Sequence, residues 1–183
     1  MKGSKSKQSK KVNQPNLALL VIDVQQGLFS KSTPIYKAED LIQNITSLVD
    51  RAHRDGAPVF YIQHSDPRSL VKGSPGWQLH PQLQPSATDS IIHKQHGNAF
   101  EETGLDEALK SRNVTGVIVT GLVTHGCVRA TCLGAQQLGY RVILVKDGHS
   151  SFSKQAAKLI EEWNQKLSAE KIELKSASEI EFR

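Results

Sequence analysis

Three segments of the chain are rich in β-branched and other apolar residues and show no alternation with polar ones. They are residues 17–24 (LALLVIDV), 114–122 (VTGVIVTGL) and 141–145 (RVILV). Runs of this kind are typical of strands that are buried on both faces, as in a parallel sheet covered by helices. None approaches the roughly 18 apolar residues of a membrane span, so we expect no membrane partner.

Helical patterns alternate with these strands and with shorter apolar runs at residues 58–63 and 89–94. The clearest covers residues 39–55 and ends at Gly56. The remaining helical patterns cover residues 103–111, 128–138 and 154–167. This alternation predicts an α/β fold with a doubly wound, mostly parallel sheet and helices on both faces. A chain of 183 residues suffices for one such domain, which we place at residues 14–183.

The formal net charge of +5 comes from the beginning of the chain. Five lysines lie there, namely Lys2, Lys5, Lys7, Lys10 and Lys11. Without them the sequence has 18 basic and 18 acidic residues. We expect residues 1–13 to form a disordered tail, either solvated or in contact with an anionic surface. Nucleic acid is not expected as a partner, because no aromatic residues separate the lysines.

The cysteine content bounds the compartment. Only two cysteines are present, and the basic, polar beginning of the chain has no apolar segment like that of a secretory signal. We therefore expect a cytoplasmic protein in a reducing environment. The sequence also lacks a glycine-rich phosphate loop, so it predicts no nucleotide and no other cofactor.

One of the two cysteines, Cys127, lies where a strand and a tight turn lead into a helix, within residues 114–138. Unpaired N–H groups and about half a positive charge at a helix N-terminus favour the thiolate, which is the nucleophilic form. The alternative is that Cys127 only packs. We interpret Cys132, five residues further along the helical pattern, in that way, and we expect no disulfide between the two.

Two charged residues also end apolar strands. Asp23 closes the first strand and Lys94 closes the third. Taken alone, the aspartate can be a helix cap and the lysine a solvated edge residue. The carboxyl ends of parallel strands share one edge, however, and ligands of open α/β sheets bind there. An acid, a lysine and Cys127 at that edge favour covalent catalysis.

A long segment, residues 64–85, separates the second and third strands and contains Trp77, His64 and His80. Long loops without regular structure are often functional. Trp77 covers a pocket or fastens the loop to the core. The histidines lack the spacing of a metal site, so we expect no metal.

The chain resembles the isochorismatase-like cysteine hydrolases, which include nicotinamidases, carbamoyl-amide hydrolases, ureidoacrylate amidohydrolases and isochorismatases. The motifs that carry the resemblance are LLVIDVQ with Asp23, GSPGWQLHPQL, IIHKQHGNAF with Lys94, TGLVTHGCVRAT with Cys127, and GYRVILVKD. Their order and spacing agree with the family from about residue 17 to residue 147.

The resemblance implies a six-stranded parallel sheet and a catalytic triad of Asp23, Lys94 and Cys127. It also implies a cis peptide bond between Leu122 and Val123, and an oxyanion hole made by the backbone amides of Val123 and Cys127. In this family Asp23 would take the thiol proton, Lys94 would hold Asp23 ionised, and a thioester would form on Cys127. The expected activity is therefore hydrolysis of a small carboxamide or carbamoyl C–N bond.

The sequence departs from the nicotinamidases in one respect. After the second strand it lacks the Asp-x-His pair that holds their metal, since the segment reads Gln63-His64-Ser65-Asp66-Pro67. His80 is similar to another of their ligands. An alternative activity is vinyl-ether hydrolysis of an isochorismate-like molecule, which needs Asp23 but not the cysteine. A non-enzymatic scaffold is the remaining alternative.

The expected substrate is a small molecule, and the resemblance suggests a homodimer or homotetramer. Six residues are predicted to line the substrate-binding site: Gln25, Leu28, Phe29, His64, Trp77 and Phe100.

Overall fold

The computed structural model describes residues 16–182, so the predicted tail at residues 1–13 lies outside the described part. Six strands form one sheet in the order β3-β2-β1-β4-β5-β6, and every pair is parallel. Their bounds are β1 Leu17–Ile22, β2 Val59–His64, β3 Ser90–Lys94, β4 Gly116–Leu122, β5 Arg141–Ser150 and β6 Glu173–Lys175. The predicted α/β fold with a doubly wound parallel sheet is confirmed.

Five α-helices connect the strands and cover the sheet. They are α1 Gln26–Phe29, α2 Ala38–Asp55, α3 Leu105–Ser111, α4 Arg129–Gln137 and α5 Ala156–Ala169. Apolar side chains at helical spacing on α2 pack on one face of the sheet, which has its own hydrophobic cluster. A second cluster on the opposite face contains side chains of α3, α4 and α5. Alternate residues of β1 and β4 enter the two clusters, which explains why both strands are wholly apolar or small.

Some boundaries differ from the sequence prediction. Helix α1 lies between the first strand and residue 39, where the sequence shows no helical pattern, and residues 64–85 contain a short 3₁₀ turn at Pro75–Trp77. The strand predicted to end at residue 145 continues to Ser150, across a register shift between β4 and β5. The strand continues through polar residues because they hydrogen bond to β4. The apolar pattern of the sequence gives no sign of this pairing.

The central strands approach each other most closely at Gly121 of β4, which has φ +116°. A Cβ at this position would lie 2.0 Å from the carbonyl oxygen of Ile22 on β1, so only glycine fits. The next residue of the β1 segment, Asp23, also has a left-handed backbone with φ 52°. Aspartate is among the residues that tolerate this conformation, which here turns the chain out of the sheet.

No helix within residues 16–182 has the length and apolar character needed to cross a membrane.

Candidate active site

The carboxyl edge of the sheet brings together Asp23, Lys94 and Cys127. The Lys94 ammonium donates to Asp23 Oδ2 at 2.9 Å and to Cys127 Sγ at 3.3 Å. Both charged side chains are almost wholly buried, with relative exposures of 0% for Lys94 and 4% for Asp23. A buried ion pair needs further hydrogen bonds to offset its lost hydration.

The ammonium of Lys94 finds those further partners in two histidines. It lies 3.1 Å from His64 Nδ1 and 3.1 Å from the carbonyl oxygen of His96, so its three N–H groups are shared among four acceptors. Because the ammonium has only donors, His64 Nδ1 is the acceptor of this bond. Burial first, and then the charge of Lys94, lower the pKa of His64. His64, predicted to line the substrate site, is therefore a direct neighbour of the lysine.

One carboxylate oxygen of Asp23 is not bonded to Lys94. Asp23 Oδ1 is buried and has no hydrogen-bond partner among residues 16–182. Burial raises the pKa of Asp23, and the charge of Lys94 opposes this shift. A carboxylate with one oxygen held by a cation and the other free, beside a thiol, is suited to accept a proton.

Cys127 lies in a π-helical turn at Thr124–Val128, and α4 begins only at Arg129. Burial raises the pKa of its thiol to about 12, and the negative charge of Asp23 acts in the same direction. The position was expected to favour the thiolate, but loss of hydration outweighs the helix terminus and the Lys94 charge. The resting side chain of Cys127 is thus a thiol.

The turn begins with a cis peptide bond between Leu122 and Val123. The carbonyl oxygen of Val123 accepts from Gly126 N at 3.0 Å and from Val128 N at 3.3 Å, which closes the turn around Cys127.

Thr124 fixes the same turn from the other side. Its hydroxyl lies 2.8 Å from His149 Nδ1 and 3.1 Å from the carbonyl oxygen of Ser150. The second ring nitrogen of His149 contacts Asn164 Oδ1 on α5 at 2.9 Å. Burial lowers the pKa of His149 to about 4, so the ring is neutral. Sequence reasoning missed this buried group, since it depends on residues 25 and 40 positions away from Thr124.

Gln25 was predicted to bind substrate, but its side chain is fully buried and committed elsewhere. Its amide oxygen accepts from His64 N at 2.9 Å, and its amide nitrogen donates to the carbonyl oxygens of His64 and Trp77. Gln25 therefore positions His64 and the loop.

Trp77 fastens the long loop to the sheet. Its indole N–H donates to Ser65 Oγ at 2.9 Å, and its ring meets His93 of β3 edge-on at 5.0 Å. Of the two interpretations of Trp77, these contacts favour attachment of the loop.

The other three residues predicted to line the substrate site lie on different faces of the sheet. Phe29 and Leu28 pack on the α2 face, where the Phe29 ring lies 4.7 Å from that of His80. Phe100 lies on the opposite face, where its ring stacks on that of Tyr140 at 5.8 Å.

The metal of the nicotinamidases does not fit this chain. His80 belongs to no group of three metal-ligating side chains within residues 16–182, and its Nδ1 accepts only a weak bond from Gln82 N at 3.4 Å. The Asp-x-His pair of that class is missing after β2, where the sequence reads Gln63-His64-Ser65-Asp66-Pro67.

Comparison with known proteins places the chain in a family. A model of the Isochorismatase domain matches residues 17–166, and the chain belongs to the isochorismatase family. It is 32% identical to a streptothricin hydrolase of Streptomyces noursei over 142 residues, which are 76% of this chain and 51% of that protein. It therefore spans about half the length of that relative.

Solved structures agree with the family. One isochorismatase family protein superposes with a TM-score of 0.83 at 29% identity, over 88% of this chain and 98% of the other. The N-carbamoylsarcosine amidase of Thermoplasma acidophilum superposes with a TM-score of 0.80 at 25% identity, over 91% and 99%.

Proposed function

We propose that this chain is a cysteine hydrolase that cleaves the C–N bond of a small carboxamide or carbamoyl compound. The observation that carries the proposal is the free, buried Oδ1 of Asp23 beside the Cys127 thiol, with Lys94 bonded to both residues. The similarity to a streptothricin hydrolase and to an N-carbamoylsarcosine amidase supports it.

In the first half-reaction, the sulfur of Cys127 attacks the carbonyl carbon while its proton passes to Asp23. The backbone N–H groups of Val123 and Cys127 stabilise the oxyanion, and one such donor contributes about 3–4 kcal/mol. Asp23 then delivers the proton to the leaving nitrogen. The C–N bond breaks, ammonia or an amine departs, and a thioester remains on Cys127.

In the second half-reaction, Asp23 takes a proton from water as the water attacks the thioester carbonyl. The C–S bond breaks, the acid leaves, and the proton returns to the sulfur. The high pKa of the Cys127 thiol suits this cycle, since the sulfur is protonated at its beginning and at its end. Lys94 keeps Asp23 in its ionised form through the direct 2.9 Å contact.

The test is ammonia release from a panel of small primary carboxamides and N-carbamoyl compounds. We expect release by the native chain and none by Cys127→Ala. Cys132→Ala is the matched control, because this second thiol is wholly buried in the core and forms no part of the Asp23–Lys94–Cys127 hydrogen bonds. Equal release by the native chain and Cys127→Ala would refute the thioester route and favour the chemistry that needs Asp23 alone.

A further inference from the structure

The Lys94 ammonium lies in a polar site at the carboxyl edge of the sheet. Four acceptors surround it: Asp23 Oδ2 at 2.9 Å, His64 Nδ1 and the His96 carbonyl oxygen at 3.1 Å, and Cys127 Sγ at 3.3 Å. Three of these groups, a carboxylate, an imidazole and a thiol, are the side chains that bind Zn²⁺ in proteins.

The geometry suits that ion. Ligand atoms of Asp23, His64 and Cys127 all lie within 4.8 Å of one another. Tetrahedral zinc with bonds of about 2.0–2.3 Å places its ligands roughly 3.3–3.8 Å apart, so small side-chain rotations suffice. The unpartnered Asp23 Oδ1 gives the carboxylate a second free oxygen in the same place.

Each ligand can present the required electron pair. His64 Nδ1 already accepts from an ammonium, so its lone pair points into this polar site. The backbone of His64 is clamped by the Gln25 amide, which holds the ring at the site. The Cys127 thiol releases its proton to solvent on binding, as metal-bound cysteine does.

We propose that Asp23, His64 and Cys127 bind Zn²⁺, or another thiophilic divalent cation, in competition with the Lys94 ammonium. Magnesium and calcium are excluded by preference, because they take oxygen ligands and not sulfur. The bound ion holds the nucleophile as a zinc thiolate. Inhibition of the hydrolase by zinc follows only if the function proposed above is correct, whereas binding does not depend on it.

Calorimetric titration of the full chain with zinc chloride tests the proposal without an activity assay. We expect one zinc per chain. His64→Gln and Cys127→Ala should each weaken binding by about tenfold or more. His93→Gln is the matched control, since His93 is exposed on the same strand as Lys94 and is not part of the cluster. Cys132→Ala is the control for the second thiol. Both should bind as the native chain does.

Lys94→Met provides a test in the opposite direction. Removal of the competing ammonium should tighten zinc binding by about tenfold or more, and adding His64→Gln should remove that gain. Cobalt titration should produce a thiolate-to-metal absorption band that is lost in Cys127→Ala. Unchanged zinc affinity in His64→Gln, or in Lys94→Met, would overturn the proposal.

Discussion

Two buried polar clusters flank the nucleophile turn, and they differ in charge and in completeness. The first consists of Asp23, Lys94 and His64, and it contains an ion pair with one carboxylate oxygen left free. The second consists of Thr124, His149 and Asn164, and it is neutral. Asn164 Nδ2 donates to the carbonyl oxygen of Lys146, so its Oδ1 accepts from His149 Nε2. The Thr124 hydroxyl shares its one hydrogen between His149 Nδ1 and the carbonyl oxygen of Ser150.

The difference separates reactivity from support. In the second cluster each side chain is hydrogen bonded to a defined partner, so the cluster fixes the position of the turn and leaves no atom for chemistry. In the first, Asp23 Oδ1 has no hydrogen-bond partner within residues 16–182, so it remains available to accept a proton. The four predictions that follow test this contrast.

The largest expected effect is that of Asp23→Asn on activity. The amide cannot accept the thiol proton, so kcat/KM for any active amide should fall by about 10³-fold or more. Steady-state kinetics against the native chain and Cys132→Ala measures it. An Asp23→Asn enzyme within tenfold of the native rate would remove the aspartate from catalysis and with it the distinction between the clusters.

The second prediction concerns the buried charges. Lys94→Met leaves the Asp23 carboxylate buried without its cation, which should lower the free energy of unfolding by about 3–5 kcal/mol. The double variant with Asp23→Asn contains no buried charge and should regain most of that loss, yet it should remain inactive. Urea unfolding of the two single variants and the double variant gives the coupling energy. A double variant less stable than Lys94→Met would contradict the pairing.

The third prediction is a pH dependence that belongs to His149. Its pKa is lowered to about 4 by burial, from an ordinary value of 6.5. Between these values the unfolded chain binds a proton that the folded chain does not, so stability is full above pH 6.5 and falls as the pH approaches 4. The loss amounts to roughly 3 kcal/mol. Thermal unfolding across this range, compared with His149→Gln, isolates it, and parallel curves for the two proteins would contradict it.

The smallest expected effect is that of Thr124→Val. This substitution keeps the shape but removes the hydroxyl, so His149 Nδ1 and the carbonyl oxygen of Ser150 lose their shared buried partner at a cost of about 1–3 kcal/mol. Activity should fall less than tenfold, because the proton-accepting oxygen is untouched. Chemical unfolding and kcat together check this. A loss of activity as large as that of Asp23→Asn would show that the second cluster takes part in the chemistry.

The fold and the meeting of Asp23, Lys94 and Cys127 could be predicted because each depends on one rule. Wholly apolar strands require a covered parallel sheet, and the carboxyl ends of parallel strands share an edge. Both inferences use residues that are local to a strand. They do not need the direction of any side chain.

The rest depended on side-chain directions and on burial. Nothing in the spacing of Gln25 indicates that its amide pairs with the backbone of a residue 39 positions away. Phe100 follows the predicted strand that Lys94 ends, but its ring stacks on that of Tyr140, 40 positions further along the chain. The position at a helix terminus predicted a thiolate at Cys127, but burial raises the pKa of this thiol, and burial cannot be read from the sequence.

Gly121 sets how closely β4 and β1 approach at the carboxyl edge of the sheet. Its missing carbon lets β4 approach β1 at the residue before Asp23, and the nucleophile turn leaves β4 one residue later. The distance between the Asp23 carboxylate and the Cys127 thiol thus depends on the spacing of the β1 and β4 backbones. Any side chain larger than hydrogen at residue 121 would push β4 away from β1. This would change the distance between the Asp23 carboxylate and the Cys127 thiol without contact to either group.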